Sequence, residues 1–196
     1  MRHGRWLDER KDLIDGVVIT GGEPTIQSGL PEFIERIRAK GYRVKLDTNG
    51  SRPAVLAGLL ELGLLDYVAM DIKAPMGQYD AFTGVHVEHE AINESIDRLL
   101  NGNIDYEFRT TVTPQLTHAD ILSIARRIQG AKRYVLQQYR RPADACDPRI
   151  ESIPHLKTWP AEIAACAASK CRWNEKSSSH NAAALLRDYN QVLSAT

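Results

Sequence analysis

The sequence predicts an α/β fold, a partial (β/α) barrel of parallel strands with helices on the outside. Three observations predict it. Short β-branched runs alternate with helical stretches five times, the connections between them are short, and each strand ends in glycine or polar residues. Such alternation implies parallel strands joined by right-handed crossovers, and five units are too few for a closed eight-stranded barrel.

The elements follow in order after a polar opening, MRHGRWLDERKD. GVVIT (16–20) reads as a strand ended by glycine, and LPEFIERIRAKG (30–41) sets Leu30, Phe33, Ile34 and Ile37 on one helical face before Gly41. YRVKLDTNG (42–50) is the next strand with its loop, and PAVLAGLLELG (53–63) a helix with proline in its first turn and glycine at its end. DYVAMDIK (66–73) is a third strand. A polar loop then leads to HEAINESIDRLLNG (89–102), where Ile92, Ile96, Leu99 and Leu100 repeat at helical spacing. IDYEFRTTVTP (104–114) and KRYVLQQYRRP (132–142) supply two more strands. Between them THADILSIARRIQG (117–130) is a helix opened by a threonine cap with an aspartate three residues on. One domain over residues 1–174 is expected, with 175–196 as a polar tail carrying a short helix.

Composition excludes several function classes. The chain has 196 residues, 43% of them hydrophobic, enough for one cored domain and tight for two. Lys plus Arg and Asp plus Glu number 25 each, so no overall field recruits nucleic acid or an anionic membrane. No apolar run approaches the roughly 20 residues that cross a bilayer, and no signal-peptide core opens the chain, so a cytoplasmic location is expected. Cys146, Cys166 and Cys171 are an odd number without disulfide-framework spacing, which again favours a reducing compartment and ordinary packing over a metal or redox role.

Chemistry concentrates at the C-terminal ends of the strands, where active residues of such folds gather. These ends carry Thr20, Gly21, Gly22 and Glu23; Asp47, Thr48 and Asn49; Asp71 and Lys73; Arg109 and Thr111; Gln137 and Gln138. Any one cluster has a plain reading as turn chemistry, whereas five in register around one rim point to a site. The first loop, TGGEP, lacks the lysine of a phosphate-binding loop and the glycine spacing of a dinucleotide loop. Its carboxylate and carbonyls suit an ammonium group. Asp47 can hydrogen-bond ribose hydroxyls or ligate a small cation, and Lys73 can pair with a ligand carboxylate. Together they describe a zwitterionic ligand bearing a sugar.

On ITGGEPT (19–25), VKLDTNG (44–50), DYVAMDIKAP (66–75) with YDAFTG after it, FRTTVTP (108–114) and LQQYRRP (136–142), the chain resembles the radical S-adenosylmethionine superfamily. It is most similar to the activating enzymes of glycyl radical enzymes, in particular the type that activates anaerobic ribonucleoside-triphosphate reductase. The resemblance covers roughly residues 8–142. It implies that Gly21, Gly22 and Glu23 hold the amino group of S-adenosylmethionine, with Thr20 and Asn49 also in its binding site. Asp47 would stand near its ribose and carboxylate, with Lys73 reaching that carboxylate or supporting the pocket. Asp47, Thr48 and the backbone at Met70 would bind a monovalent cation. Arg109 would support the pocket or face the substrate, its plainer reading being a solvated strand-end charge. The implied chemistry is reductive cleavage of S-adenosylmethionine by a [4Fe–4S] cluster, giving a radical that takes a hydrogen atom from a glycine of a partner enzyme. A flavodoxin or ferredoxin would donate the electron.

One departure stands out. The family's cluster is held by a CxxxCxxC motif upstream of the GGEP strand, and nothing in MRHGRWLDERKDLID resembles it. The iron–sulfur ligands are absent there, and the existing cysteines fall after the last matched strand. The expectation is a truncated member lacking the first strand of the radical core and inactive alone, with a non-catalytic binding or docking module and one half of a split enzyme as alternatives. GVVIT would then be a sheet edge, with MRHGRW as its partial shield.

Overall fold

The computed structural model describes residues 7–9 and 13–139. Five strands, β1 (Gly16–Ile19), β2 (Arg43–Thr48), β3 (Tyr67–Asp71), β4 (Asp105–Val112) and β5 (Tyr134–Gln138), form one sheet in sequential order with every pair parallel. Helices α1 (Leu30–Arg38), α2 (Pro53–Glu61), α3 (Tyr79–Thr83), α4 (His89–Asn101) and α5 (His118–Arg127) lie in the connections. This is the α/β partial barrel that the alternation predicts.

The strands separate two environments by their period of two. Val17, Ile19, Val44, Leu46, Val68, Met70, Tyr106, Phe108 and Tyr134 are buried and join Leu30, Ile34, Ile37, Leu56, Leu59, Ile92, Ile96, Leu99 and Ile124 from the helices in one core. The intervening residues, Lys45 and Asp47 on β2, Tyr67, Ala69 and Asp71 on β3, and Glu107 and Arg109 on β4, face the other way and line an inner, polar face. Helix boundaries follow local chemistry. Pro31 and Glu32 sit in the first turn of α1 and Arg36 and Arg38 in its last, matching the helix dipole at both ends. Thr117 and Asp120 form a reciprocal capping box on α5.

Two stretches differ from expectation. The polar loop after β3 contains a one-turn 3-10 helix, Met76–Gln78, running into α3. Five residues are too short for periodicity to reveal, and what fixes them is Tyr79, 2% exposed, whose hydroxyl accepts the Lys73 N–H at 3.0 Å. At the N-terminus, Leu7 is buried in the core and its carbonyl accepts the Tyr42 hydroxyl at 2.6 Å, so the opening is not wholly polar. MRHGRW as an edge shield, the boundary between 174 and 175, the tail helix, and Cys146, Cys166 and Cys171 all lie outside the described residues.

Candidate functional site

Glu23 organises the rim. Its Oε1 accepts from Thr25 N at 3.2 Å, Thr25 Oγ1 at 2.5 Å and Thr48 Oγ1 at 2.7 Å, while Oε2 accepts from Asn49 N at 2.6 Å. One carboxylate thus bolts the loop after β1 to the end of β2. Thr48 Oγ1 in turn accepts from Gly50 N at 3.1 Å, and Asn49 Oδ1 accepts from Ser51 N at 2.9 Å, closing an Asx turn. With the Glu23 carboxylate shared among these donors, the exposed backbone of Gly21 and Gly22 is what the loop offers outward. Both glycines have positive φ, 103° and 52°, a conformation that side chains oppose and that lets successive peptide groups turn toward the rim.

Beneath the rim, charges alternate in sign across three strands and the start of β5. Arg109 Nε reaches Asp71 Oδ1 at 2.8 Å and its Nη1 reaches Asp47 Oδ2 at 3.0 Å. To do so the guanidinium spans β3 over Ala69, which the register places between Asp47 and Glu107 and whose single methyl leaves the room. Arg109 is only 13% exposed, so it is not a solvated strand-end charge. Burial pulls its pKa down, but the Asp71 and Asp47 carboxylates outweigh that and hold it above the ordinary arginine value. Lys45 Nζ lies 3.6 Å from Asp47 Oδ1 and 3.4 Å from Glu107 Oε1. Glu107 Oε2 accepts the Tyr67 hydroxyl at 3.2 Å and stands 3.7 Å from Arg133 Nη1. Burial, then the Glu107 carboxylate, push the Tyr67 phenol up to about 12. Asp47 Oδ1 is buried without a hydrogen-bond partner among the described residues.

A cavity of about 450 Å³ opens beside this network at the ends of β3 and β4, lined by Asp71, Lys73, Phe82, Thr83, Thr111 and Thr113 among others. The exposed Lys73 ammonium makes no ion pair among the described residues. Thr113 Oγ1 is a second buried oxygen without a hydrogen-bond partner among the described residues.

The fold brings Glu23, Thr48 and Asn49 together, and joins Asp47 to Arg109. Of the residues proposed for a cation, Thr48 turns to Glu23 and Asp47 to Arg109, since consecutive strand residues leave on opposite faces. The Met70 side chain packs in the helix-side core, where a Cβ on Gly50 would collide with its methyl. Thr20 follows β1 in the same alternation that puts Val18 opposite Lys45. Lys45, Tyr67, Glu107 and Arg133 escaped a reading confined to strand ends. The signal for them is in the sequence, as charged residues at alternate positions 43, 45, 47 and 105, 107, 109.

The donor set fits S-adenosylmethionine in three places: exposed Gly21–Gly22 backbone for the ammonium, an unpaired Asp47 oxygen for a hydroxyl, and the Lys73 ammonium beside a cavity for the carboxylate. It does not fit an iron–sulfur cluster. The described residues include no cysteine, and no group of three or more His, Cys, Asp or Glu among them could hold a metal ion.

Residues 2–128 match the family model described as the radical SAM superfamily. A protein named as a glycyl-radical enzyme activating enzyme in Methanocaldococcus jannaschii is 35% identical over 149 residues, covering 73% of this chain and 62% of that protein. A 7-carboxy-7-deazaguanine synthase of Methanopyrus kandleri is 42% identical over 71 residues, 35% of this chain and 27% of that one. The chain therefore spans less than two thirds of the length of these relatives. Among solved structures, a domain of pyruvate-formate lyase-activating enzyme from Bacteroides vulgatus superposes with a TM-score of 0.60 at 16% identity, covering 82% of this chain and 99% of that one. SuiB of Streptococcus suis superposes with a TM-score of 0.62 at 12% identity over 91% of this chain and 43% of that one, a likeness of fold. With a family model matched over more than half of its residues, the chain belongs to the radical SAM superfamily.

Proposed function

We propose that the chain is the S-adenosylmethionine-binding part of a radical activating enzyme that acts on a glycyl radical enzyme, of which anaerobic ribonucleoside-triphosphate reductase is our candidate. The observation that carries the reading is the Glu23 brace. By tying the GGEP loop to Thr48 and Asn49 it holds the exposed Gly21–Gly22 backbone at the end of β2, the strand that carries Asp47, so the groups proposed for the ammonium and the ribose are braced before a ligand arrives. The 35% identity to a protein named as an activating enzyme supports the choice among radical reactions.

In this reading Gly21 and Gly22 hold the ammonium, Asp47 receives a ribose hydroxyl, and Lys73 takes the methionine carboxylate. Arg109 bridges Asp47 and Asp71 and offsets one of their two negative charges. A cluster bound by thiolates would supply the electron for reductive cleavage of S-adenosylmethionine, with flavodoxin or ferredoxin as our candidate donor. Nothing in the described residues holds such a cluster, and this chain's own contribution is to bind and orient the ligand.

Calorimetric titration tests the reading. S-adenosylmethionine should bind weakly to this chain and Asp47→Ala should abolish binding; no heat from the wild-type chain at millimolar ligand sinks the proposal. Anaerobic reconstitution with iron and sulfide should yield neither stoichiometric [4Fe–4S] absorption nor 5′-deoxyadenosine, because no CxxxCxxC motif is present in these 196 residues.

A further inference from the structure

Asp47 carries two oxygens with different fates. Oδ2 is taken by Arg109 at 3.0 Å. Oδ1 is buried, has no hydrogen bond among the described residues, and faces an ammonium 3.6 Å away. An unrestrained lysine beside a buried carboxylate would close that gap, since an ammonium–carboxylate hydrogen bond settles at about 2.7–2.9 Å. Lys45 is restrained. Its Nζ is drawn to Glu107 Oε1 at 3.4 Å, and Glu107 is itself held on β4 by the Tyr67 hydroxyl at 3.2 Å and by Arg133 at 3.7 Å. Asp47, Ala69 and Glu107 occupy one row across β2, β3 and β4, so the two carboxylates face each other over an alanine with the ammonium suspended between them.

We propose that Glu107, acting through Lys45, keeps the buried Asp47 Oδ1 unpaired as the acceptor for a ligand hydroxyl, which makes Lys45 and Glu107 positioning residues of the site. The inference rests on the reading of Asp47 as a ribose contact. Lys45 keeps a cation near Asp47, while Glu107 prevents that cation from consuming the oxygen the ligand needs. Glu107 is 13% exposed, so the restraint operates away from bulk water, where a charge pair is screened least.

The test uses the 196-residue chain, Glu107→Gln, and the double variant Glu107→Gln/Lys45→Met. Glutamine keeps an oxygen for the Tyr67 hydroxyl but loses the charge that holds the ammonium. Two measurements are made: crystal structures of the ligand-free proteins, and calorimetric affinity for S-adenosylmethionine. In Glu107→Gln, Lys45 Nζ should close on Asp47 Oδ1 to about 2.8 Å and affinity should fall about tenfold, equivalent to about 1.4 kcal/mol. Removing the ammonium in the double variant should return affinity to within about threefold of wild type. A merely structural role for Glu107 gives the opposite pattern, because a second lesion in the same network leaves affinity as low or lower, and that result overturns the proposal. It is equally overturned if Lys45 stays in place in Glu107→Gln, or if it closes and affinity does not change. Should Lys45 close as expected while the wild-type chain takes no ligand, the reading of Asp47 as a ribose contact fails and the Glu107–Lys45–Asp47 linkage stands.

Discussion

Glu23 shows how much one side chain can hold. Its carboxylate receives four hydrogen bonds, two of them from a strand end 25 and 26 positions away. Substitution by glutamine leaves one good acceptor and points an amide N–H at another donor. Hydrogen bonds to a charged group are worth about 1.5–3 kcal/mol each in net terms, so Glu23→Gln should cost about 2–3 kcal/mol, read as a lower denaturation midpoint, and, on the proposed function, should weaken S-adenosylmethionine binding. Thr48→Val, which keeps the shape and deletes one donor, should cost less, about 1 kcal/mol. In the sequence the carboxylate of GGEP looks available to a ligand, because a linear reading shows what a group can accept and not which donors reach it first. Thr48 and Asn49 reach it only once β1 and β2 pair. Ala69 is a second such residue: nothing in VAMD marks its methyl as the floor under Arg109. Ala69→Leu should push the guanidinium off Asp47 and overpack the inner face, at about 1–3 kcal/mol by thermal melting.

At the scale of elements, the helices were legible from period and caps, and the segment from Met76 to Glu88 was not. Its order comes from polar contacts with no periodicity. Asp80 accepts the Val87 N–H at 3.0 Å, with His86 Nδ1 at 3.0 Å from Oδ2 and His89 Nε2 at 3.2 Å from Oδ1, so one carboxylate staples the turn at Gly84 to the start of α4. The hydrogen bond to Asp80, with the charges of Asp80 and Glu88, raises the His86 pKa above 6.5, and the bonds from His86 and Val87 lower that of Asp80 below 3.8. The signs bound a window. A raised histidine stabilises fully below its unfolded pKa and loses that contribution as pH rises through the folded value. A depressed carboxylate stabilises above its unfolded pKa and loses the effect as pH falls through the folded one. The staple is therefore complete between about pH 4 and 6.5 and loosens on either side. Asp80→Asn should bring the His86 titration, followed by NMR, down toward 6.5, and should speed exchange of the Val87 amide. A His86 midpoint unmoved by the substitution rules the staple out. Because Phe82, Thr83 and Gly84 line the cavity, its shape should follow the same window.

The whole molecule rests on a sheet that sorts its residues by alternation, apolar to the helices and charged to the inside. The apolar half was plain in the sequence, since GVVI, VAM and YVL each announce a buried strand. The charged half was visible as a pattern and opaque as a network, because pairing Lys45 with Glu107, or Arg109 with Asp47, requires the register that only the folded sheet supplies. The same sheet ranks the stability of its parts. β3 is bonded on one side to β2 and on the other to β4, and Val68, Ala69 and Met70 are 0% exposed. β1 and β5 each pair on one side among the described residues, and β5 ends in exposed Gln137 and Gln138. Opening β3 requires breaking two ladders and separating the Asp47–Arg109–Asp71 bridge across it, whereas either outer strand can detach by breaking one ladder. Amide exchange followed by NMR or mass spectrometry should therefore be slowest in β3 and in the facing residues of β2 and β4, approaching the global unfolding rate there, and faster in β1 and β5. Arg109→Leu should narrow that difference, since removing the shared partner of a partly buried bridge leaves Asp47 and Asp71 facing each other, at a cost of about 1–3 kcal/mol. If exchange in β3 were unchanged by the loss of Arg109, the charge chain would be no part of what holds the sheet together.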